Sequence, residues 1–151
     1  MGIISEDNQW MEHALSLAKI AAEKGEVPIG AVLVQDNKII GEGGNSPISL
    51  NDPTAHAEII ALRQAGSALQ NYRLVNSTLY VTLEPCLMCV GAIVHARVKR
   101  VVFGASDPKK AEVNTIFQRV ADGFNHCVQY EGNILGEECS VVLKQFFLDR
   151  R

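Results

Sequence analysis

The sequence has no run of eighteen consecutive apolar residues, and no N-terminal basic region followed by an apolar stretch, so neither membrane insertion nor secretion is expected. A cytoplasmic setting follows as the default. Charge of one sign is also lacking: 14 basic against 17 acidic residues leave a formal net charge of −3, which excludes a general polyanion binder. Nucleic-acid contact must then be local, at pairs such as Lys99-Arg100, Lys109-Lys110 and Arg150-Arg151. Cysteine is scarce, and in a reducing compartment its four copies read as free thiols or metal ligands rather than as two disulfides. Repeats, low-complexity segments and linkers are absent. At 151 residues and 47% hydrophobic, the chain suits one domain, residues 1–151, with one core and at most one active site.

What is present is a stretch from Pro53-Thr54-Ala55-His56-Ala57-Glu58 to Glu84-Pro85-Cys86-Leu87-Met88-Cys89. With four histidines, a His-x-Glu arises by chance in about three chains in ten, whereas a Pro-Cys-x-x-Cys arises in about one in four hundred, so the second half carries the weight. Together they supply one imidazole, two thiols and a spare carboxylate. That is what a zinc ion with an open position and an adjacent proton carrier needs.

Hydrophobic spacing places Trp10, Ala14, Leu17, Ala18 and Ala21 on one stripe of a helix over residues 7–24, ended by Gly25, with His13 beside it at the surface. Ile29 to Val34 and Lys38 to Glu42 read as a hairpin around Asp36-Asn37, and 43–54 as a loop. A helix over 53–66 has Asp52 or Thr54 as N-cap and Pro53 in its first turn. Thr78 to Thr82 is a strand. Pro85, in a first-turn position, opens a helix to about Ala96 that sets Cys86 and Cys89 on one face. Strands at 100–104 and 126–130, a loop at 105–114, a short helix at 115–121 and a closing helix at 137–150 complete the order. The alternation predicts an α/β fold, a three-layer α/β/α sandwich around a five-stranded mixed sheet. Cys127 and Cys139 read as small buried hydrophobes. A second metal site from His126, Cys127 and Cys139 lacks ligand spacing.

Two helix N-termini at one point would lower the pKa of both Cys86 and Cys89, favouring the thiolates that zinc binds. A closed site with His95 as fourth ligand competes with this reading. On one helix His95 stands about 9 Å and roughly 240° beyond Cys89, so it points away, a helix-end or interface residue. With three ligands, the fourth position falls to water, and Glu58 is placed to take its proton. The alternative role for Glu58 is to stabilise the first turn of its helix against the dipole.

His56-Ala57-Glu58 followed by Pro85-Cys86-x-x-Cys89 resembles the signature of the cytidine and nucleobase deaminase superfamily. Asn51 to Ile59, Asn71 to Leu74, Leu79 to Cys86, Arg100 to Ala105 and Phe146-Phe147-x-x-Arg150-Arg151 are similar to the bacterial tRNA-specific adenosine deaminases within it, over nearly the whole chain from Glu26 on. The resemblance implies a cytidine deaminase-like fold and conversion of the wobble adenosine of a tRNA anticodon stem-loop to inosine. It also implies one zinc per subunit on His56, Cys86 and Cys89, Glu58 as proton shuttle, and a homodimer. By the same likeness Asn45 binds the purine ring and the Ala57 N–H touches the base. Asp107 contacts the neighbouring sugar, and Phe146 and Phe147 lie near the loop, with core packing the other role for at least one of them. The chain departs from the family pattern at Asp107-Pro108-Lys109-Lys110-Ala111-Glu112, one residue shorter and without a glycine, and at Ser46 in place of a basic residue. A deaminase of a free base or nucleoside, and a non-catalytic zinc-stabilised RNA-binding module, remain as other readings.

Overall fold

A computed structural model describes residues 5–106, 117 and 126–150. Five strands form one sheet in the order β2-β1-β3-β4-β5. β1 (Gly30–Gln35) is antiparallel to both β2 (Lys38–Gly44) and β3 (Ser77–Leu83), whereas β4 (Arg100–Ala105) and β5 (Gln129–Glu131) continue from β3 in parallel. Asp36 and Asn37 both take positive φ, 51° and 59°, as a two-residue hairpin turn of type I′ requires.

Alternate side chains of the central strands feed two separate cores. Ala31, Leu33, Leu79, Val81, Val101 and Phe103 face α3 (Ala57–Leu69) and α4 (Leu87–His95). Val32, Val34, Tyr80 and Val102 face α1 (Glu6–Glu23) and α5 (Gly136–Leu148). Burial of β1, β3 and β4 on both faces is why they read as continuous apolar runs. The three-layer sandwich and mixed sheet expected from the sequence are therefore present. No helix among the described residues is long and apolar enough to cross a membrane.

Several local expectations change. Met11 and Leu15 join Ala14, Ala18 and Ala21 in the buried stripe of α1, while Trp10 and Leu17 are only half-buried. Which side of a helix is covered depends on the sheet beneath it. The 43–54 loop contains a single helical turn, α2 (Pro47–Leu50). Residues 126–128 are not strand: β5 is three residues long at the sheet edge, and Cys127 is exposed rather than buried, whereas Cys139 is 1% exposed, as expected. The loop at 105–114 and the helix at 115–121 fall almost wholly outside the described residues.

Close packing over β2 fixes the helix that carries His56. A Cβ on Gly41 would stand 2.2 Å from the Ala61 carbonyl and 2.8 Å from the Ala65 nitrogen, so α3 lies directly on the strand. A larger residue there would push the helix off the sheet.

Candidate active site

The expected caps of the two site helices are displaced. Helix α3 begins at Ala57 with His56 as N-cap, and α4 begins at Leu87 with Cys86 as N-cap, so Pro53 and Pro85 both precede the helices they were expected to open. Asp52 instead accepts from the Thr54 N–H and hydroxyl, both at 2.8 Å, and caps the preceding turn. His56 (φ −69°, ψ 155°) and Cys86 (φ −77°, ψ 173°) are extended, and neither side chain caps its own helix. Both turn away from the helix axis to a common point.

There His56 Nδ1 lies 3.5 Å from Cys86 Sγ and 3.6 Å from Cys89 Sγ. All three donor atoms fall within 4.8 Å of one another, the one such cluster of His, Cys, Asp or Glu among the described residues. An imidazole nitrogen and two sulfurs at this spacing suit a tetrahedral zinc ion with one position open. The site follows the C-terminal end of β3, which runs parallel to β4, where ligands of α/β sheets gather.

The two thiols do not share one fate, contrary to expectation. Cys86 is brought down to about 4, chiefly because the Cys89 thiol donates to it, against burial and with help from His56. Cys89 is pushed up by that bond, by burial and by the neighbouring Glu58 carboxylate. A cation bound between the two sulfurs would hold both as thiolates.

Glu58, second residue of α3, is 4% exposed. Burial raises its pKa and the Cys86 thiolate adds to the rise, while its own backbone N–H, His56 and the Cys89 thiol oppose it. A carboxylate that merely served the helix dipole would lie at the solvent-facing tip. Here it is enclosed against the donor cluster without being one of the donors.

Asn45 is tied through the backbone to the segment that leads into His56. Its N–H donates to the Ile29 carbonyl at 2.9 Å, and the next N–H, of Ser46, donates to the Ala55 carbonyl at 2.9 Å, one residue before His56. The Asn45 side chain is 8% exposed, and its Oδ1 is buried with no partner, the one such side-chain atom among the described residues. Leaving a buried acceptor unpaired costs about 1–3 kcal/mol. Ala57, in the first turn of α3, has an N–H with no acceptor inside its helix.

Compared with known proteins, residues 5–151 match the MafB19-like deaminases. The chain belongs to this family. The tRNA-specific adenosine deaminase of Haemophilus influenzae is 55% identical over 147 residues, 96% of this chain and 85% of that protein. A structure solved in biochemical and structural studies of A-to-I editing by tRNA:A34 deaminases matches with a TM-score of 0.83 at 43% identity, over 89% of this chain and 99% of the other. Guanine deaminase from Bacillus subtilis matches with a TM-score of 0.66 at 41% identity, over 73% of this chain and 70% of the other.

In this MafB19-like deaminase the remaining sequence candidates lie apart from the cluster. Phe146 and Phe147 are on α5, on the opposite face of the sheet from α3 and α4; Phe146 is buried under the Arg150 guanidinium, and Phe147 is 52% exposed. Asp107 lies outside the described residues, as do Lys109, Lys110 and Arg151. His95 is the last residue of α4 and lines a groove of about 410 Å³ with Leu62 and Tyr72. His126 Nε2 faces the Val98 carbonyl at 2.8 Å, and no second metal cluster with Cys127 and Cys139 forms among the described residues. Arg100 is not a free positive spot, because it pairs with Asp7 at 2.7 Å and Glu131 at 2.5 Å. Two buried carboxylates received no role from the sequence. Glu84 accepts from the Tyr130 hydroxyl at 3.0 Å immediately before Pro85-Cys86, and Glu26 holds α2. For Glu84 the neighbouring motif was a signal; for Glu26 the only hint was a charge between Gly25 and Pro28 at the foot of an apolar strand.

Proposed function

We infer that this chain hydrolytically deaminates the wobble adenosine of a tRNA anticodon loop to inosine, as a zinc enzyme with Glu58 as its proton carrier. One observation carries the reading: an imidazole and two thiols converge from two helix starts onto a buried carboxyl that is not one of the donors. The 55% identity to a tRNA-specific adenosine deaminase supports the substrate.

His56, Cys86 and Cys89 would hold one zinc per subunit. Zinc bound there supplies a Lewis acid that makes a water acidic enough to be deprotonated near neutral pH. Water adds at C6 of the base and the C6–N bond breaks, releasing ammonia. Glu58 takes the proton of the attacking water, gives it to the ring nitrogen and then serves the leaving amine, and its raised pKa suits both halves of that task. The Asn45 amide, whose Oδ1 is otherwise unpaired, binds the purine ring edge, and the Ala57 N–H and the His56 ring border the base. Asp107 meets the sugar of the neighbouring nucleotide, and the exposed Phe147, with Phe146 beneath it, lies near the loop. A base in an anticodon loop is already unpaired, so extruding it costs less than in a duplex.

The chain acts as a homodimer in the cytoplasm, which lets an acidic chain assemble basic residues from two copies around one loop. Apolar side chains beside the site favour such pairing: Ile48 is 69% and Leu87 66% exposed, next to the segments that carry Asn45 and Cys86.

Likeness to guanine deaminase from Bacillus subtilis supports a second reading, deamination of a free purine. Zinc-loaded protein incubated separately with tRNA, guanine and cytidine separates the readings. Inosine in tRNA is expected. Turnover of guanine without inosine would favour the second, and tRNA binding without any turnover would favour a non-catalytic zinc-stabilised RNA-binding module.

A further inference from the structure

We propose that Glu26 is a positioning residue for the substrate base, acting on Asn45 through α2; this rests on the role given to Asn45 above. Glu26 is 1% exposed, a charged side chain enclosed ahead of β1. Its Oε1 accepts from the Ile48 N–H at 3.2 Å, and its Oε2 accepts from the Ser49 N–H and hydroxyl, each at 2.7 Å. These are the second and third residues of α2, whose own cap, Ser46, makes no side-chain capping bond because its hydroxyl donates to the Gly44 carbonyl. A helix of four residues does not hold itself together, since one turn costs more order than its bonds return. Glu26 therefore supplies from a distance the cap that α2 lacks. Burial would raise its pKa, but the three donors hold it below the ordinary glutamate value and keep it charged.

The consequence falls on Asn45. Its Oδ1 has no hydrogen-bond partner among the described residues, so where the amide sits depends on its backbone and on the packing around it. That backbone is pinned on one side by Ile29 and on the other by the turn that Glu26 clamps, and the Ser46–Ala55 bond links it to His56. Release of α2 from Glu26 would loosen the spacing between Asn45 and His56 while leaving Cys86, Cys89 and Glu58, which rest on α3 and α4, in place. A role limited to fold stability would not depend on Asn45.

Zinc-loaded Glu26→Gln, Asn45→Ala and the double variant, assayed on an anticodon stem-loop, test this. Glu26→Gln is expected to keep one zinc per chain and to lower kcat/KM about tenfold, the scale of one or two lost hydrogen bonds to a charged group. In the Asn45→Ala background the same change is expected to cost less than about twofold, because coupled residues are not additive. Ser49→Ala, which removes a single bond, is expected to show a smaller loss with the same dependence on Asn45, and it serves if Glu26→Gln fails to fold. Equal losses in both backgrounds, or an undiminished kcat/KM, would overturn the role of Glu26 alone. A harmless Asn45→Ala would overturn the role of Asn45 and this inference with it.

Discussion

Helix α1 and the pair α3 and α4 start in opposite ways. At the start of α1, the Ser5 hydroxyl accepts from the Asn8 N–H at 3.2 Å, and Asp7 in the first turn binds Arg100 through both oxygens, at 2.9 and 2.7 Å. Ser5 and Asp7 are both used there to hold the fold. At the starts of α3 and α4, the cap positions hold His56 and Cys86, whose side chains leave their own helices uncapped and point at each other. A polar cap that satisfies its own helix is structural, whereas a cap that forgoes that bond, worth about 1 kcal/mol, marks a place where the side chain has another partner. The two faces of the sheet divide along this line, one carrying the His56, Cys86 and Cys89 cluster and the other tying α1 to β3, β4 and β5 through Asp7, Tyr80, Arg100 and Glu131.

The sharpest break of the comparison comes from removing one cap of each kind. Cys86→Ala should abolish deamination and reduce the metal content from one zinc per chain to nearly none, as read by elemental analysis. Ser5→Ala should leave both untouched and lower stability by about 1 kcal/mol in urea unfolding. The two phenylalanines of α5 give the next largest contrast. Phe146→Ala should cost about 3–5 kcal/mol of stability, as expected for a buried aromatic. Phe147→Ala should cost less than about 0.5 kcal/mol and act on the KM for tRNA instead.

Smallest is the effect at Asp7, whose pKa lies below the ordinary aspartate value of 3.8, first through the hydrogen bonds from Arg100, against burial, and then through Tyr80. A depressed carboxylate pKa contributes stability above its unfolded value and loses it as pH falls through the folded one. Asp7→Asn should therefore melt below the parent chain at pH 7, and the gap should close as pH falls below about 3.8. A gap that stayed constant with pH would show that the ion pair is not its source.

The donor set was legible in the sequence because chemistry fixes residue type and spacing: Pro85-Cys86-x-x-Cys89 is rare by chance, and His56-x-Glu58 completes it. The hairpin was legible in Asp36-Asn37, and the layer order in the alternation of apolar runs. The helix starts were not. Pro53 and Pro85 favour first-turn positions by local preference, but His56 and Cys86 must lie outside the helix for their side chains to meet, and that tertiary demand overrides the preference. The buried stripe of α1 was rotated for a similar reason, since Met11 and Leu15 are buried by Val32, Val34 and Tyr80, which the local pattern does not contain. Cys127 was misplaced because a three-residue edge strand has too few alternating positions to announce its bounds. Nor does any pattern announce a carboxylate such as Glu26, enclosed by N–H groups more than twenty residues along the chain.

The division of labour between the donor cluster and the enclosed carboxyl is tested most directly by Glu58→Ala. With zinc content measured on the same sample, turnover of the tRNA adenosine should fall by about 10²–10⁴-fold or more, while one zinc per chain and tRNA binding persist. Undiminished turnover by zinc-loaded Glu58→Ala would contradict Glu58 as the proton carrier, and loss of the metal with the carboxyl would place Glu58 among the ligands instead.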